Sequence, residues 1–293
     1  MDELKNRVAV VTGAAGGIGA ALVCAFADAG MDIVLADRDV PGMEVVAERV
    51  RAKGRLALCQ QTDVTDPASL ERLLAATLDA FGRCHLVANN AGVFHAAPLL
   101  DTAVEQYRRV VETNLLGVIW GSRVFGTYFR KQGEGHIINT SSAAGLFPVP
   151  GMGSYSTTKY GVVGFSLQLR WELAATGVGV TVLCPGTVRT GIAQAKGVGL
   201  EHIDMAAMMA KAPPPEPLAK KTVQAVLHNR PLVRYGPESA VFTLLRLLPL
   251  WIVEPLGRFM GRKALEVVQK PEAPAELMGD SAGPENTPVS EPP

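Results

Sequence analysis

One pattern limits the fold more than any other. Short, near-continuous apolar runs alternate with longer amphipathic stretches. "RVAVVTG" (7–13) and "DIVLADR" (32–38) read as strands, with "GIGAALVCAFADAG" (17–30) as a helix between them. "PGMEVVAERVRAKG" (41–54) reads as a second helix, with Gly54 closing it. "LALCQQTDV" (56–64) is a third strand. "DPASLERLLAATLDAFG" (66–82) is a helix with Asp66 as N-cap and Pro67 in its first turn. Further strands are expected in "CHLVANNAG" (84–92), "GHIINTSS" (135–142), "VGVTVLCPG" (178–186) and "LVRYGP" (232–237). Apolar strands that do not alternate in and out are buried on both faces. With helices between them, they argue for a parallel sheet covered on both sides. Right-handed crossovers make it a doubly wound, Rossmann-type α/β sheet of about seven strands.

The pattern predicts one domain over residues 1–239. Hydrophobic residues make up 48% of the chain and charged ones 19%, enough apolar material for a large core. Formal net charge is zero, which gives no electrostatic case for nucleic acid. Cys24, Cys59, Cys84 and Cys184 form no CxxC pair and are expected as reduced, mostly buried thiols. No basic segment precedes a long apolar one at the N-terminus, so a cytoplasmic protein is expected. His85, His95, His136, His202 and His228 have no metal-ligand spacing, and no metal is expected.

Past the last strand the chain changes character. Residues 240–269, within "ESAVFTLLRLLPLWIVEPLGRFMGRK" and just beyond, form an apolar helical extension broken by Pro249, Pro255 and charges. It is too interrupted to span a membrane. Packing against the domain is the leading expectation; dimerisation or peripheral membrane contact through 240–263 are the others. Residues 270–293 have the composition of a disordered tail.

"TGAAGGIG" (12–19) follows a strand and opens a helix, as a dinucleotide site requires. Gly13, Gly17 and Gly19 permit a tight turn, so that backbone N–H groups and the helix dipole can meet a pyrophosphate. Asp37, at the end of the second strand, is placed to accept hydrogen bonds from the adenosine ribose. A carboxylate there repels a 2′-phosphate and favours NAD over NADP. Arg38 is the dissenting residue, since a guanidinium can serve that phosphate.

"GSYSTTKYG" puts Tyr155 and Lys159 four residues apart, on one helix face. A phenol near pKa 10 is a weak base at neutral pH, and a nearby ammonium is expected to lower it. Ser142 ends a strand at the sheet edge where ligands bind, and Asn114 is a polar residue in an apolar helix.

In these motifs the chain resembles the short-chain dehydrogenase/reductase family, densely over residues 5 to 190. The family's TGxxxGxG matches Thr12 through Gly19, and its NNAG matches Asn89 to Gly92. Its YxxxK matches Tyr155 to Lys159, with Ser142 upstream as catalytic serine and Asn114 as helical asparagine. The resemblance implies cofactor contacts by Gly13, Gly16, Gly17, Ile18 and Gly19, and by Asp37 and Arg38. It extends them to Asp63 and Val64 of "TDV", to Asn90, Ala91 and Gly92, and to Pro185, Gly186, Val188 and Thr190. It also implies roles. Tyr155 is the acid/base, Ser142 holds the substrate oxygen, Lys159 binds the nicotinamide ribose and lowers the Tyr155 pKa, and Asn114 serves a proton relay. A homodimer or homotetramer is the family habit.

The expected activity is NAD-dependent oxidation of a bulky hydrophobic secondary alcohol, or the reverse, on a steroid, terpenoid or aryl compound. Residues 191–217 are expected as a substrate lid, with Met205, Met208 and Met209 as apolar contacts. An NADPH-linked carbonyl or oxoacyl reductase is the alternative. A non-catalytic nucleotide sensor is a third reading, disfavoured by the intact Ser142, Tyr155 and Lys159.

Overall fold

The computed structural model describes residues 3–190 and 211–268. Most of the expected lid, with Met205, Met208, Met209 and His202, lies outside them, as does the expected tail. The strands are β1 (Val8–Thr12), β2 (Asp32–Asp37), β3 (Ala57–Gln61), β4 (Leu86–Asn89), β5 (Gly135–Thr140), β6 (Val178–Pro185) and β7 (Leu232–Tyr235). They form one parallel sheet in the order β3-β2-β1-β4-β5-β6-β7. The order reverses between β1 and β4, where Val10 pairs with Val34 on one side and Val87 on the other. The helices are α1 (Gly17–Asp28), α2 (Val40–Arg51), α3 (Pro67–Phe81), α4 (Val104–Val111), α5 (Gly117–Gln132), α6 (Gly153–Glu172), α7 (Glu216–Leu227), α8 (Pro237–Leu247) and α9 (Leu250–Val268).

The unbroken apolar runs have a direct cause. Side chains alternate across a strand, and both faces are covered. Ala9 and Val11 of β1 enter a core with Leu22 and Phe26 of α1 and Leu218 of α7. Val8 and Val10 enter the opposite core, with Leu73 of α3 and Phe125 and Phe129 of α5.

Local signals behave as expected. The Asp66 carboxylate caps α3, accepting from the N–H groups of Ala68 (2.9 Å) and Ser69 (3.1 Å). Gly54 follows α2 in the left-handed region at φ 71°. Cys84 and Cys184 are buried, while Cys24 and Cys59 are only partly so. His85 and His136 are buried structural groups. Val8 N–H donates to His85 Nδ1 (3.1 Å), and His136 Nε2 meets Thr181 Oγ1 (2.8 Å).

The C-terminal extension packs less than expected. The inner side of α8 holds on through Ser239, whose hydroxyl donates to Cys184 O (2.6 Å), and through Phe242, whose ring packs tilted against Phe147 with centres 5.4 Å apart. Val253 is the buried apolar anchor of α9. Yet Val241, Leu244, Leu247, Trp251 and Phe259 face outward, with Leu247 at 76% and Trp251 at 77% exposure. The short apolar stretches here are broken by Arg246, Pro249, Glu254 and Arg258, so each helix buries one narrow strip only. Among the described residues no helix is long and apolar enough to cross a membrane.

Burial therefore predicts a contrast. Phe125→Ala removes a fully buried ring and is expected to cost about 3–5 kcal/mol. Trp251→Ala removes an exposed one and is expected to cost about 0.5 kcal/mol or less. Urea denaturation of the two variants measures both.

Candidate active site

A cavity of about 500 Å³ opens at the carboxyl ends of the strands, beside the β1/β4 reversal. One end is the glycine turn. Gly13 (φ 66°) and Gly17 (φ 54°) occupy left-handed backbone, where glycine carries no steric cost. Gly19 lies against the carbonyl of Gly13 and the Asn90 side chain, which leaves no room for a Cβ. The N-cap of α1 is Gly16, which offers no side-chain acceptor to the first-turn N–H groups. Those amides and the helix dipole suit a diphosphate.

Asp37 borders the same end. Its carboxylate accepts from Ala15 N–H and Asp39 N–H, each at 3.1 Å, and so is held beside the glycine turn. Arg38 points elsewhere. Its guanidinium is 3.8 Å from the Asp63 carboxylate, and its side chain is 73% exposed. For Asp63, burial raises the pKa, but two hydrogen bonds from Thr65 and the charge of Arg38 outweigh it and hold the group below its ordinary value. Arg38, Asp63 and Val64 do not line the cavity, and Val64 packs against Gly117 instead.

At the other end stand Ser142, Tyr155 and Lys159. Ser142 leaves β5 and caps a short turn, its hydroxyl accepting from Ala144 N–H (3.2 Å). The Tyr155 ring meets Phe94 edge-on at 5.1 Å. Lys159 Nζ lies 5.5 Å from the centre of that ring and donates to Thr140 O (2.9 Å). The expected lowering of the Tyr155 pKa is not what this geometry produces. Burial pushes the phenol above its ordinary value, with Ser142 opposing. Burial also pushes the Lys159 ammonium down to about 8. For both groups desolvation is the largest influence and sets the direction of the shift.

Asn114 is fully buried and outside the cavity lining. Its Oδ1 accepts from Val93 N–H (2.7 Å) and its Nδ2 donates to Val93 O (2.8 Å). It sits in a π turn, Glu112–Leu116, between α4 and α5. That turn sets the Asn114 amide against the loop that runs on from Asn90–Gly92, with Oδ1 and Lys159 Nζ flanking Gly92. Asn114 is thus a positioning residue in this arrangement.

Asn90, Ala91, Gly92, Pro185, Gly186, Val188, Thr190, Gly16 and Ile18 all border the cavity, as expected. Sequence reasoning missed Glu238 and Phe242, which reach it from α8. Glu238 Oε2 is buried beside Gly186 with no hydrogen-bond partner among the described residues. No motif marks these two residues, because they arrive from a helix some fifty positions beyond β6. An acceptor-lined ribose site, an amide-rich turn and a reactive hydroxyl–phenol–ammonium group together fit a nicotinamide dinucleotide with its substrate.

Comparison with known proteins agrees. Residues 7–199 match the family model described as short chain dehydrogenase. A probable oxidoreductase EphD from Mycobacterium tuberculosis is 36% identical over 254 residues, covering 82% of this chain and 43% of that protein. The chain thus spans under half the length of that relative. A 3-oxoacyl-[acyl-carrier-protein] reductase from Synechocystis is 35% identical over 250 residues, covering 85% of this chain and 91% of its own. The crystal structure of a short chain dehydrogenase/reductase from Burkholderia phymatum in complex with NAD superimposes with a TM-score of 0.74. It is 30% identical, covering 94% of this chain and 100% of that one.

The Lys159 pKa has a consequence for stability. The folded value, about 8, lies below the ordinary lysine value of 10.5, so the unfolded chain holds this proton more tightly. The burial penalty is therefore full below pH 8, shrinks as pH rises towards 10.5, and is absent above it. Lys159→Met abolishes the penalty at every pH. Its stability relative to wild type is expected to fall steadily between pH 7.5 and 10 in urea titrations. A pH-independent gap would contradict the burial of this charge.

Proposed function

The chain belongs to the short-chain dehydrogenase family, and on that premise we propose that it is an NAD-dependent dehydrogenase of a hydrophobic secondary alcohol or ketone. The carrying observation is a single cavity with Asp37 at its nucleotide end and Ser142, Tyr155 and Lys159 at its other end. Bound there, the nicotinamide ring accepts or supplies a hydride at the carbon of the substrate.

The residues of the chain divide the remaining work. The glycine turn and the α1 N-terminus hold the diphosphate. Asp37 accepts from ribose hydroxyls and opposes a 2′-phosphate by like charge. Arg38, directed to Asp63, supplies no counterweight inside the cavity. Ser142 hydrogen-bonds the substrate oxygen. Tyr155 gives that oxygen a proton in reduction and takes one in oxidation. Lys159, still largely cationic at neutral pH, supplies the positive charge near the phenol. Phe94, Ala143, Val149, Met152 and Phe242 make the wall around the substrate apolar. Glu238 adds one acceptor and disfavours anionic substrates.

A second reading, an NADPH-linked oxoacyl reductase, has the Synechocystis relative in its favour. Asp37 speaks against it.

Turnover of hydrophobic secondary alcohols should be faster with NAD than with NADP. Asp37→Ser is expected to narrow that preference by roughly tenfold or more, because a like-charge clash is removed. Tyr155→Phe should lower kcat by about 10²–10⁴ while leaving NADH binding intact. Since burial keeps Tyr155 protonated near neutrality, alcohol oxidation should accelerate as pH rises, and ketone reduction should not. Absorbance of the reduced nicotinamide follows all of these. A preference for NADP in the wild type would move the assignment to the reductase.

A further inference from the structure

A second cavity, of about 670 Å³, lies between the loop that precedes α6 and the C-terminal helix α9. Its walls are Leu99, Pro150 and Tyr160 on the body and Gly261, Ala264 and Leu265 on α9. The lining is almost wholly apolar. A buried polar exception is Ser156, whose hydroxyl has no hydrogen-bond partner among the described residues. Val149 belongs to both this cavity and the active-site cavity. Ser156 and Tyr160 flank Tyr155 and Lys159 on α6, so the two spaces sit on adjacent faces of one helix, divided at Val149.

We infer that this groove is the distal half of the substrate site and takes the alkyl end of an elongated secondary alcohol or ketone. The inference rests on the dehydrogenase reading above and narrows its substrate class. The reacting oxygen lies at Ser142 and Tyr155, the chain crosses Val149, and its far end runs along α9 beside Ser156. Small residues at 261 and 264 keep the groove open. An active-site cavity of about 500 Å³ that must also hold a nicotinamide leaves little room for a long substrate by itself. The groove supplies that room, with apolar walls that reward each added methylene.

Gly261 allows a clean test. A Cβ placed there meets no atom within 4 Å, so a side chain can start from this position without a backbone clash. In NAD-saturated wild type, kcat/KM should rise about tenfold or more from 2-hexanol to 2-dodecanol. Gly261→Phe should abolish that gain and keep 2-hexanol within about twofold of wild type. Gly261→Ala, which leaves the groove open, should retain the gain. No chain-length gain in the wild type, or an equal loss for both alcohols in Gly261→Phe, overturns the inference. A gain seen only after deletion of residues 269–293 also overturns it, and assigns the groove to the chain's own C-terminal segment. Calorimetric binding of 2-dodecanol to the NADH complex gives a readout free of turnover. If neither alcohol reacts, the dehydrogenase reading fails for these compounds. The groove then stands if Gly261→Phe weakens binding at least tenfold, and falls if wild type and variant bind alike.

Discussion

The active end of the sheet depends on one hydroxyl. Thr12, the last residue of β1, accepts through Oγ1 from Asn90 N–H (2.9 Å) and Ala91 N–H (3.1 Å), and donates to Ala88 O (3.3 Å). The Asn90 side chain answers by donating to Thr12 O (3.1 Å). Thr140 at the end of β5 then donates to Asn90 Oδ1 (3.3 Å). These bonds lie where the strand order reverses and where helices leave in opposite directions. A gap must open there for a ligand, and backbone groups lose their ladder partners. The Thr12–Asn90 bonds satisfy those groups and hold the glycine turn at a set distance from Asn90–Gly92. Both the nucleotide end and the reacting end of the cavity are built out from this point.

A second polar assembly supports the floor beneath. Asn89 Nδ2 donates to Ser122 Oγ (3.1 Å) and to Asn139 Oδ1 (2.9 Å), and Asn139 Nδ2 donates to Ser166 Oγ (3.0 Å). One buried network thereby joins β4, β5, α5 and α6. All its members are paired except Asn89 Oδ1, which is buried with no partner among the described residues, and the paired groups admit few alternative packings. The helix carrying Tyr155 and Lys159 is locked in this way to the strand that ends near Ser142.

Burial governs the chemistry of the reacting groups. The same desolvation that raises Tyr155 lowers Lys159. Each shift disfavours the charged form, and together they separate two proton affinities that lie close together in water, with the amine now the readier of the two to lose its proton. The extension of α8 and α9 completes the enclosure from outside the sheet, through Glu238 and Phe242 at the first cavity and Gly261 and Ala264 at the second. Its outer face stays exposed.

Local physical chemistry made much of this legible. The β1 run, with one neighbour core for Val8 and Val10 and another for Ala9 and Val11, could not be an alternating surface strand. Asp66 announced its helix because a carboxylate at that position meets free N–H groups. Glycines at 13 and 17, Asp37 and the four-residue step from Tyr155 to Lys159 are likewise sequence-local, so neighbouring residues alone mark them. Three things are not so marked. Arg38 turned to Asp63, since a flexible charge chooses its partner only when both are positioned. The Tyr155 phenol moved up and not down, because desolvation depends on everything packed around the ring. Glu238, Phe242 and the groove along α9 belong to chain segments distant from the motifs, and only the folded arrangement brings them to the cavity. Periodicity and short-range geometry are properties of neighbouring residues, and the sequence carries them in full. Burial, charge pairing and cavity shape are properties of distant residues brought together, and the tertiary structure alone decides them.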